Sequence, residues 1–304
     1  MTSHRAFALP LVIWGVLIVS AAVVATGIVV RGHLSDASLG ARASRARELA
    51  ISGASLGTHP GIKRYDPILS QEMAPGEKYT AAILSEGARL NVNAAAKRSD
   101  LTPLRDVFIA WGVDQAAATS TAAALADWVD ADDTIRPGGA ESAAYTASGK
   151  DGLPMNRAFA SVEEMSVVEG MDQVAAARPD WREFFTVHGP DLVDLNEVGS
   201  DLLSALGGIS LTEAAALLQT RDGADGLTGT SDDQTFASVS AAAEVMGLTE
   251  TQANRLSGNF GTGSDVLRIE SRGEVAGFVK KIVVIVRKSK DTRTAPTQMA
   301  WQEF

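Results

Sequence analysis

Two short acidic segments hold the side chains best able to bind a ligand in this sequence. The first places four aspartates within seven residues, from Asp127 to Asp133, and Glu141 follows shortly after them. Several carboxylates at the end of a helix and the start of a loop can converge on one hard cation, with ligand oxygens at about 2.4 Å. They can equally remain solvated charge. The candidate ligands are Asp127, Asp130, Asp132 and Glu141.

The second acidic segment, residues 222–233, alternates aspartates with glycines as calcium-binding loops do. Its twelfth position is Asp233, where an EF-hand carries a bidentate Glu. A flexible acidic insertion that binds no metal would have the same composition, so both interpretations stay open. The candidate ligands here are Asp222, Asp225, Asp232 and Asp233.

The composition narrows the possible chemistry further. The chain of 304 residues has no Cys, four scattered His and a formal net charge of −10. These values exclude disulfides, thiolate zinc sites and cysteine nucleophiles, and they leave almost nothing for a histidine metal cluster or a Ser-His-Asp triad. They also disfavour a nucleic-acid surface, which needs basic residues to replace phosphate counterions. We therefore expect a protein that is not an enzyme.

An uncharged, largely apolar run occupies residues 7–30. At about 1.5 Å per residue its 24 positions reach about 36 Å as a helix, enough to cross a bilayer. A cleaved signal peptide, the alternative, would have a shorter apolar core of about 7–15 residues. From Arg31 an apolar periodicity continues without proline to Pro60, which predicts one long helix, half in lipid and half outside. Its outer half has small residues suited to close packing at Ala37, Ala41 and Gly53.

The middle of the chain, from about residue 89 to residue 261, contains a weak internal duplication. The tetrapeptide Phe-Ala-Ser-Val occurs at 159–162 and 236–239, and residues 90–93 and 195–198 each precede a helical stretch broken by Gly. Apolar residues on both sides of such glycines predict helix-turn-helix hairpins, two in each copy. Hairpins of this kind can grip phosphates, but the turns here carry acidic residues, so we interpret them as a packing scaffold.

Strand patterns flank this helical region. Strands are predicted at residues 79–84, 88–92, 266–271 and 278–286. The first two are expected to form a hairpin across Ser85-Glu86-Gly87, and the last two to flank a turn around Gly273 to Gly277. The final residues are expected to form a polar tail in which Trp301 and Phe304 are possible docking points.

Several sequence segments occur in an order that is typical of one family. They are RAFAL at 5–9, EGARLNVN at 86–93, ADWVDADD at 126–133, GAE at 139–141 with Tyr145, NRAFASVEEM at 156–165, VEGM at 168–171 and IESRG at 269–273. A basic leader followed by an apolar helix is the general arrangement of type IV pilins. With these two features, the segments resemble the K-type minor pseudopilins of the type II (general) secretion system. The resemblance covers most of the chain.

The resemblance implies an α+β fold of the type IV pilin kind. A long N-terminal helix packs on a small antiparallel sheet, and a large all-helical domain of helix-hairpin-helix repeats is inserted. The implied segments are a leader (1–6), a transmembrane part of the helix (7–30), a pilin-like helix with the first strands (31–92), the inserted domain (93–262), the final strands (263–290) and a C-terminal tail (291–304).

The family also implies processing at the start of the chain. Prepilin peptidase would cut after Ala6, where the family usually has Gly, and Phe7 would be N-methylated. Most pilins have Glu at the fifth position after the cut, but this chain has Leu11, as the K-type does. A carboxylate in lipid costs several kcal/mol unless it meets a positive partner, commonly the amine of a neighbouring subunit. A subunit without that carboxylate need not dock onto one beneath it and can sit first, at the tip.

The implied function is that of a structural minor pseudopilin at the tip of the periplasmic pseudopilus, where it initiates assembly. The implied partners are the I- and J-type minor pseudopilins, prepilin peptidase and the inner-membrane assembly platform, with no nucleic acid. The family also implies structural calcium at the first acidic segment. The protein would cross the bacterial inner membrane once, with its bulk in the periplasm. This location overrides the count of positive residues, which are more numerous after the apolar run than before it.

Two other functions stay open. A membrane-anchored hydrolase would use Asp127 and Glu141 as paired carboxylates, but it should have a groove rich in aromatic residues, and the middle domain has few. A DNA-uptake pseudopilin would use the helical hairpins, but it needs a basic surface.

Overall fold

The computed structural model describes residues 8–230, 232–289 and 293–304, and for residues 8–11 and 27–38 it describes the backbone without the side chains. The predicted leader junction at Ala6 and Phe7 lies outside these residues, and so does the side chain of Leu11. The chain enters the fold through helix α1 (Ala8–Thr58), which is 51 residues long. The prediction of one long helix that ends before Pro60 is confirmed.

The other described elements form a five-stranded sheet, two two-stranded sheets and a set of helices. The strands are β1 (Ser70–Ala74), β2 (Glu77–Ser85), β3 (Leu90–Asn91), β4 (Phe185–Thr186), β5 (Val193–Asp194), β6 (Phe260–Gly261), β7 (Val266–Val275), β8 (Phe278–Arg287) and β9 (Thr297–Glu303). The remaining helices are α2 (Val92–Ala96), α3 (Thr102–Ala110), α4 (Gln115–Val129), α5 (Ser142–Ala147), α6 (Met171–Ala177), α7 (Ser200–Gly207), α8 (Leu211–Arg221), α9 (Val239–Val245) and α10 (Glu250–Asn259).

Five strands form one antiparallel sheet in the order β1-β2-β7-β8-β9. Its apolar face packs on the second half of α1, with Ile83, Ile269 and Val284 buried in the contact. Strands β7 and β8 are joined by Ala276-Gly277, both with positive φ, which suits a tight hairpin turn. The two late strands predicted from the sequence are therefore confirmed, with β7 extending further than expected.

Small residues allow α1 to lie close to β7. A Cβ atom on Gly53 would collide with Ser271, and one on Gly273 of the strand would collide with the α1 backbone. Of the predicted stripe of small residues, Gly53 is buried in this contact and Ala41 is exposed, while the side chain of Ala37 is not described.

A largely helical domain, residues 92–259, lies between β2 and β7 in the chain and has its own core. The prediction that the inserted domain is all-helical is wrong, because it includes β4 and β5, which pair in parallel with β3 and β6 at its two ends. Trp128, Tyr145 and Trp181 are among its largest buried side chains. Trp128 stacks on Phe159 with a ring-centroid distance of 5.4 Å. Because β2 pairs with β7 across this insertion, the domain leaves the sheet intact.

Two asparagines hold the two Phe-Ala-Ser-Val segments in the same way. The Asn93 side chain donates to the carbonyl of Phe159 at 3.0 Å and accepts from its N–H at 2.7 Å, and Asn196 makes the same two bonds with Phe236 at 3.0 and 2.7 Å. These bonds make Asn196 the counterpart of Asn93. Both asparagines lie in the two segments, 90–93 and 195–198, that the sequence placed before a helical stretch in each copy. The helix-hairpin-helix character of the repeats stays a prediction.

The predicted hairpin between residues 79–84 and 88–92 is wrong. The Ser85 hydroxyl accepts from the N–H of Gly87 at 3.1 Å and starts a 3-10 turn at Glu86–Ala88. This turn leads the chain away from β2, and β3 then pairs in parallel with β4. Val92, expected to end a strand, begins α2 instead.

The C-terminal tail predicted for residues 291–304 contains a fifth strand of the sheet. Strand β9 pairs with β8, and its Met299 packs against the apolar cluster on the sheet face away from α1. Arg47 of α1 forms a bidentate ion pair with Glu303 at 2.6 and 2.7 Å. The hydrogen bonds from Arg47 and from the Trp301 indole lower the pKa of Glu303 to about 2. The strand is missed from the sequence because most of its side chains are exposed.

Candidate metal centre

The first acidic segment begins in the last turn of α4. Asp114 caps the start of this alanine-rich helix by accepting from the N–H groups of Ala116 and Ala117 at 2.8 and 3.3 Å. The second half of the helix is buried, and Asp127 is 0% exposed. A buried carboxylate needs a nearby cation or several hydrogen bonds, because removing its charge from water costs several kcal/mol.

Arg136 supplies positive charge at this position. Its guanidinium donates to Asp127 at 2.9 Å and also to Asp130, and its backbone N–H donates to Asp127 at 3.3 Å. The hydrogen bond to Asp127 is the main cause of a raised Arg136 pKa. Arg136 was missed from the sequence, although it is the sole Lys or Arg between Arg105 and Lys150 and stands beside the densest run of acid in that stretch.

Glu141, at the start of α5, completes a buried acidic cluster with Asp127 and Asp130. It is 6% exposed, and neither of its carboxylate oxygens has a hydrogen-bond partner among the described residues. Burial, followed by the negative charges of Asp127 and Asp130, raises the Glu141 pKa to about 7. The cluster therefore has more negative charge than Arg136 can compensate.

The other predicted ligand of this segment lies apart from the cluster. Asp132 is exposed and accepts from the N–H of Thr134 at 2.8 Å, while the neighbouring Asp133 accepts from the Asn156 amide at 2.9 Å. Throughout the described ranges, no three His, Asp or Glu side chains converge closely enough to hold a metal ion. As the side chains stand, the Arg136 guanidinium lies between Asp127 and Asp130.

The chemistry of the donors suits a calcium ion, although their present arrangement in the described residues does not converge on one point, and calcium binding stays a prediction. Calcium prefers carboxylate oxygens, and both oxygens of Glu141 together with Oδ1 of Asp130 are buried without a partner in the described structure. Asp127, Asp130 and Glu141 would hold the ion, which would supply the positive charge that Arg136 now provides. Binding would require Arg136 to move away from the two aspartates.

The carboxylates of the second acidic segment already accept hydrogen bonds from within their own loop. Asp222 is buried and accepts from Arg221 at 2.7 Å, and Asp225 accepts from the N–H of Leu227 at 2.8 Å. Asp232 accepts from the N–H of Ala224 at 2.8 Å, and Asp233 accepts from the N–H of Gly229. The loop is closed by these bonds, and calcium binding by its four aspartates stays a prediction.

No helical stretch in the described part of the chain combines the length and apolarity that crossing a membrane requires. The predicted span at residues 7–30 includes positions whose side chains lie outside that description.

A long helix packs on a small antiparallel sheet, and a helical domain is inserted before the last strands, which is the arrangement of helix, sheet and insertion that the resemblance predicted. Residues 88–179, which include the first acidic segment, match the family model of protein K of the type II secretion system. This match confirms the resemblance to the K-type minor pseudopilins that the sequence segments predicted.

A solved structure shares the fold. The chain is similar to a chain in the crystal structure of the GspK–GspI–GspJ complex from the type 2 secretion system of enterotoxigenic Escherichia coli, with a TM-score of 0.65 and 18% identity. The alignment covers 90% of this chain and 98% of that chain, so the likeness includes both the sheet and the helical domain. No curated protein sequence matches the chain.

Proposed function

We propose that the chain is a structural minor pseudopilin of a type II secretion system, located at the tip of the periplasmic pseudopilus, where it initiates assembly. The observation that carries this proposal is the match of residues 88–179 to the family model of protein K. The fold of the chain is also similar to that of a chain in the GspK–GspI–GspJ complex. The role needs no catalytic group, because the subunit acts by binding its neighbours.

The position of the helical domain supports a place at the tip. Just after α1, Arg64 forms a bidentate ion pair with Glu197 at 3.0 and 3.2 Å, and the Tyr65 hydroxyl donates to the carbonyl of Thr228 at 2.7 Å. These contacts hold the domain at the C-terminal end of α1. A domain of this size at that end would obstruct a further subunit stacked above it. The terminal subunit of the fibre has no subunit above it, so the domain is accommodated there.

The start of α1 supports a membrane anchor. Apolar side chains from Val12 to Val24 are exposed, and water is an unfavourable environment for such a surface. In the proposed function residues 7–30 cross the inner membrane, prepilin peptidase cuts after Ala6, and Phe7 is methylated. The rest of the chain then lies in the periplasm, and I- and J-type minor pseudopilins are its partners.

Co-purification and labelling test this proposal. The tagged chain is expressed with the I- and J-type minor pseudopilins of its own system and purified in detergent, and antibodies to the helical domain are applied to isolated pseudopili. We expect one complex of all three subunits and label at one end of each fibre. Label along the shaft would contradict the tip position, and secretion that survives deletion of the gene would contradict the role itself.

Calcium binding at the first acidic segment is the second part of the proposal. Both oxygens of Glu141 and Oδ1 of Asp130, which are buried without a hydrogen-bond partner in the described residues, support it, and a bound ion would link the end of α4 to the start of α5. The expected role is structural, since calcium would fix the loop between these helices.

A further inference from the structure

The helical domain joins the sheet through two crossings of the chain that touch each other. The chain enters the domain through residues 85–89 and leaves it through residues 260–265. A Cβ atom on Gly87 would collide with Ser264, so the first crossing lies directly against the second. Asp194 of the helical domain accepts from the N–H of Gly263, which has a positive φ, at 3.0 Å. Two adjacent crossings of this kind form an axis about which a domain can turn.

A cavity of about 600 Å³ lies beside these crossings, between the helical domain and the sheet. Its sheet wall is the face turned away from α1, because Ile285 lines the cavity and belongs to the apolar cluster on that face. The opposite wall belongs to the helical domain and includes Val162 and Phe185. Both walls carry apolar side chains, so an approach of the domain to the sheet would bury apolar surface here.

Polar contacts hold the helical domain on the other face of the sheet. Besides its ion pair with Glu197, the Arg64 guanidinium donates to the carbonyl of Thr228 at 3.3 Å. The Tyr65 hydroxyl donates to the same carbonyl at 2.7 Å. We call these four residues the latch. Ile62 packs in the apolar cluster between α1 and the sheet, so the latch is anchored on the face opposite the cavity.

The latched position is maintained against a cost. Tyr65 has a φ of 62°, in the left-handed region that residues other than glycine rarely adopt. Burial raises the pKa of Glu197, although Arg64 favours its ionised form. A Cβ atom on Gly229, next to Thr228, would collide with Arg64, so the approach is close. Strain and desolvation of this kind persist only where the surrounding contacts compensate for them, and here the latch provides those contacts.

We propose that the latch is a conformational device that holds the helical domain in one of two positions. When it opens, the domain turns on the crossings and closes the cavity. The movement has this direction because the latch and the cavity lie on opposite faces of the sheet. The closed position exchanges the polar contacts of the latch for apolar contact between Phe185 and Ile285. This inference is independent of where the subunit lies in the pseudopilus.

Distances between pairs of spin labels, measured by pulsed double electron–electron resonance, test this proposal. The sequence has no Cys, so each label can be attached to one introduced cysteine. In the full-length chain in detergent, Glu163→Cys and Gln302→Cys place labels at exposed positions on the two walls of the cavity. Glu163→Cys with Gln115→Cys gives a reference distance within the helical domain.

These distances are compared in the unmodified background and in three variants. Arg64→Gln removes the ion pair of the latch, and Tyr65→Phe removes only its hydroxyl hydrogen bond. Lys63→Gln is the matched control, because it removes the charge of an exposed side chain next to Arg64 that lies outside the latch.

Loss of a charged pair predicts that Arg64→Gln raises the ratio of short to long cavity distances by about tenfold or more. Tyr65→Phe should act in the same direction by less, and Lys63→Gln should change nothing. Cavity distances that stay the same or lengthen in Arg64→Gln would overturn the proposal, as would an equal response to Lys63→Gln. A changed reference distance would mean that Arg64→Gln disturbs the fold of the domain. Tyr65→Phe then decides, since unchanged cavity distances in that variant also overturn the proposal.

Discussion

Three buried carboxylates differ in how their charge is compensated. Asp127 is paired with Arg136, Glu86 accepts one hydroxyl hydrogen bond, and both oxygens of Glu141 lack a partner in the described residues. Since an unpaired buried charge is destabilising, the protonation of Glu141 and its access to cations should control the stability of the surrounding loop.

We expect the raised pKa of Glu141 to make the stability of the protein depend on pH. Its pKa is raised from 4.5 to about 7, so between these values the folded state keeps a proton that the unfolded state releases. The free energy of unfolding in metal-free buffer should therefore fall as pH rises through this window, by up to about 3 kcal/mol, and level off above it. Urea unfolding of Glu141→Gln should show a flatter profile, while Glu163→Gln keeps the original one. Parallel profiles for all three proteins would contradict the assignment.

Calcium should stabilise the folded chain through the same cluster. An ion that binds only the folded state adds about 2.7 kcal/mol at a hundredfold excess over its Kd. The melting temperature of the full-length chain in detergent should rise with calcium and fall with chelator. Asp130→Asn combined with Glu141→Gln should remove most of this response, whereas Asp132→Asn, which alters an exposed carboxylate outside the cluster, should not. A response that needs Asp225 and Asp232 instead would assign calcium to the second segment, and a melting temperature indifferent to calcium would contradict both sites.

At the scale of elements, the contact of α1 with β7 depends on the absence of side chains at its closest approach. Gly53→Val would force new atoms into Ser271, and overpacking of this kind commonly costs about 1–3 kcal/mol. Gly40→Ala is the matched control in the same helix, because a Cβ there meets nothing within 4 Å. We expect urea unfolding to show lower stability for Gly53→Val, and unchanged or slightly higher stability for Gly40→Ala. Equal effects of the two substitutions would indicate that helix propensity, and not the contact of α1 with β7, determines the change in stability.

The sequence predicted those elements whose pattern is local. Helix α1 and strands β7 and β8 have continuous apolar periodicity, and these predictions are confirmed. The hairpin after β2 was wrong because Ser85 caps a turn, and this cap uses a single side-chain hydrogen bond that no periodicity reveals. Strand β9 was missed because most of its side chains are exposed, so it lacks the apolar alternation that predicts a strand, and its pairing with β8 is visible only in the fold.

The neighbouring carboxylates of the first acidic segment were also predicted in part, because some of them lie close together in the sequence. Asp127 and Asp130 lie close in sequence, and both accept hydrogen bonds from Arg136, while their role as metal ligands stays a prediction. Asp132 instead accepts a hydrogen bond from the N–H of Thr134. This contact depends on the local backbone conformation rather than on residue type. Glu86 was assigned to a predicted hairpin turn and to a family segment, and its burial was missed because it follows from the way the sheet meets the helical domain.

On the scale of the whole molecule, α1 connects two regions of different character. Its first part exposes an apolar surface, and its second part is covered by the sheet and leads into the contacts of Arg64 and Tyr65 with the helical domain. In the proposed function, the interactions that set the position of the subunit should therefore lie at the N-terminal end of α1, away from the contacts that hold the helical domain.

Leu11→Glu tests what sets that position. A carboxylate in the membrane costs several kcal/mol unless it meets a cation, and in a pilin-like assembly the available cation is the N-terminal amine of a neighbouring subunit. The variant should therefore dock onto a subunit beneath it and enter the shaft, or be retained in the membrane, so that secretion falls and label from the helical domain leaves the fibre ends. Leu11→Gln, which adds a polar group without charge, is the matched control and should keep the tip position. Normal secretion with end-labelled fibres in Leu11→Glu would show that the missing carboxylate does not determine the place of this subunit.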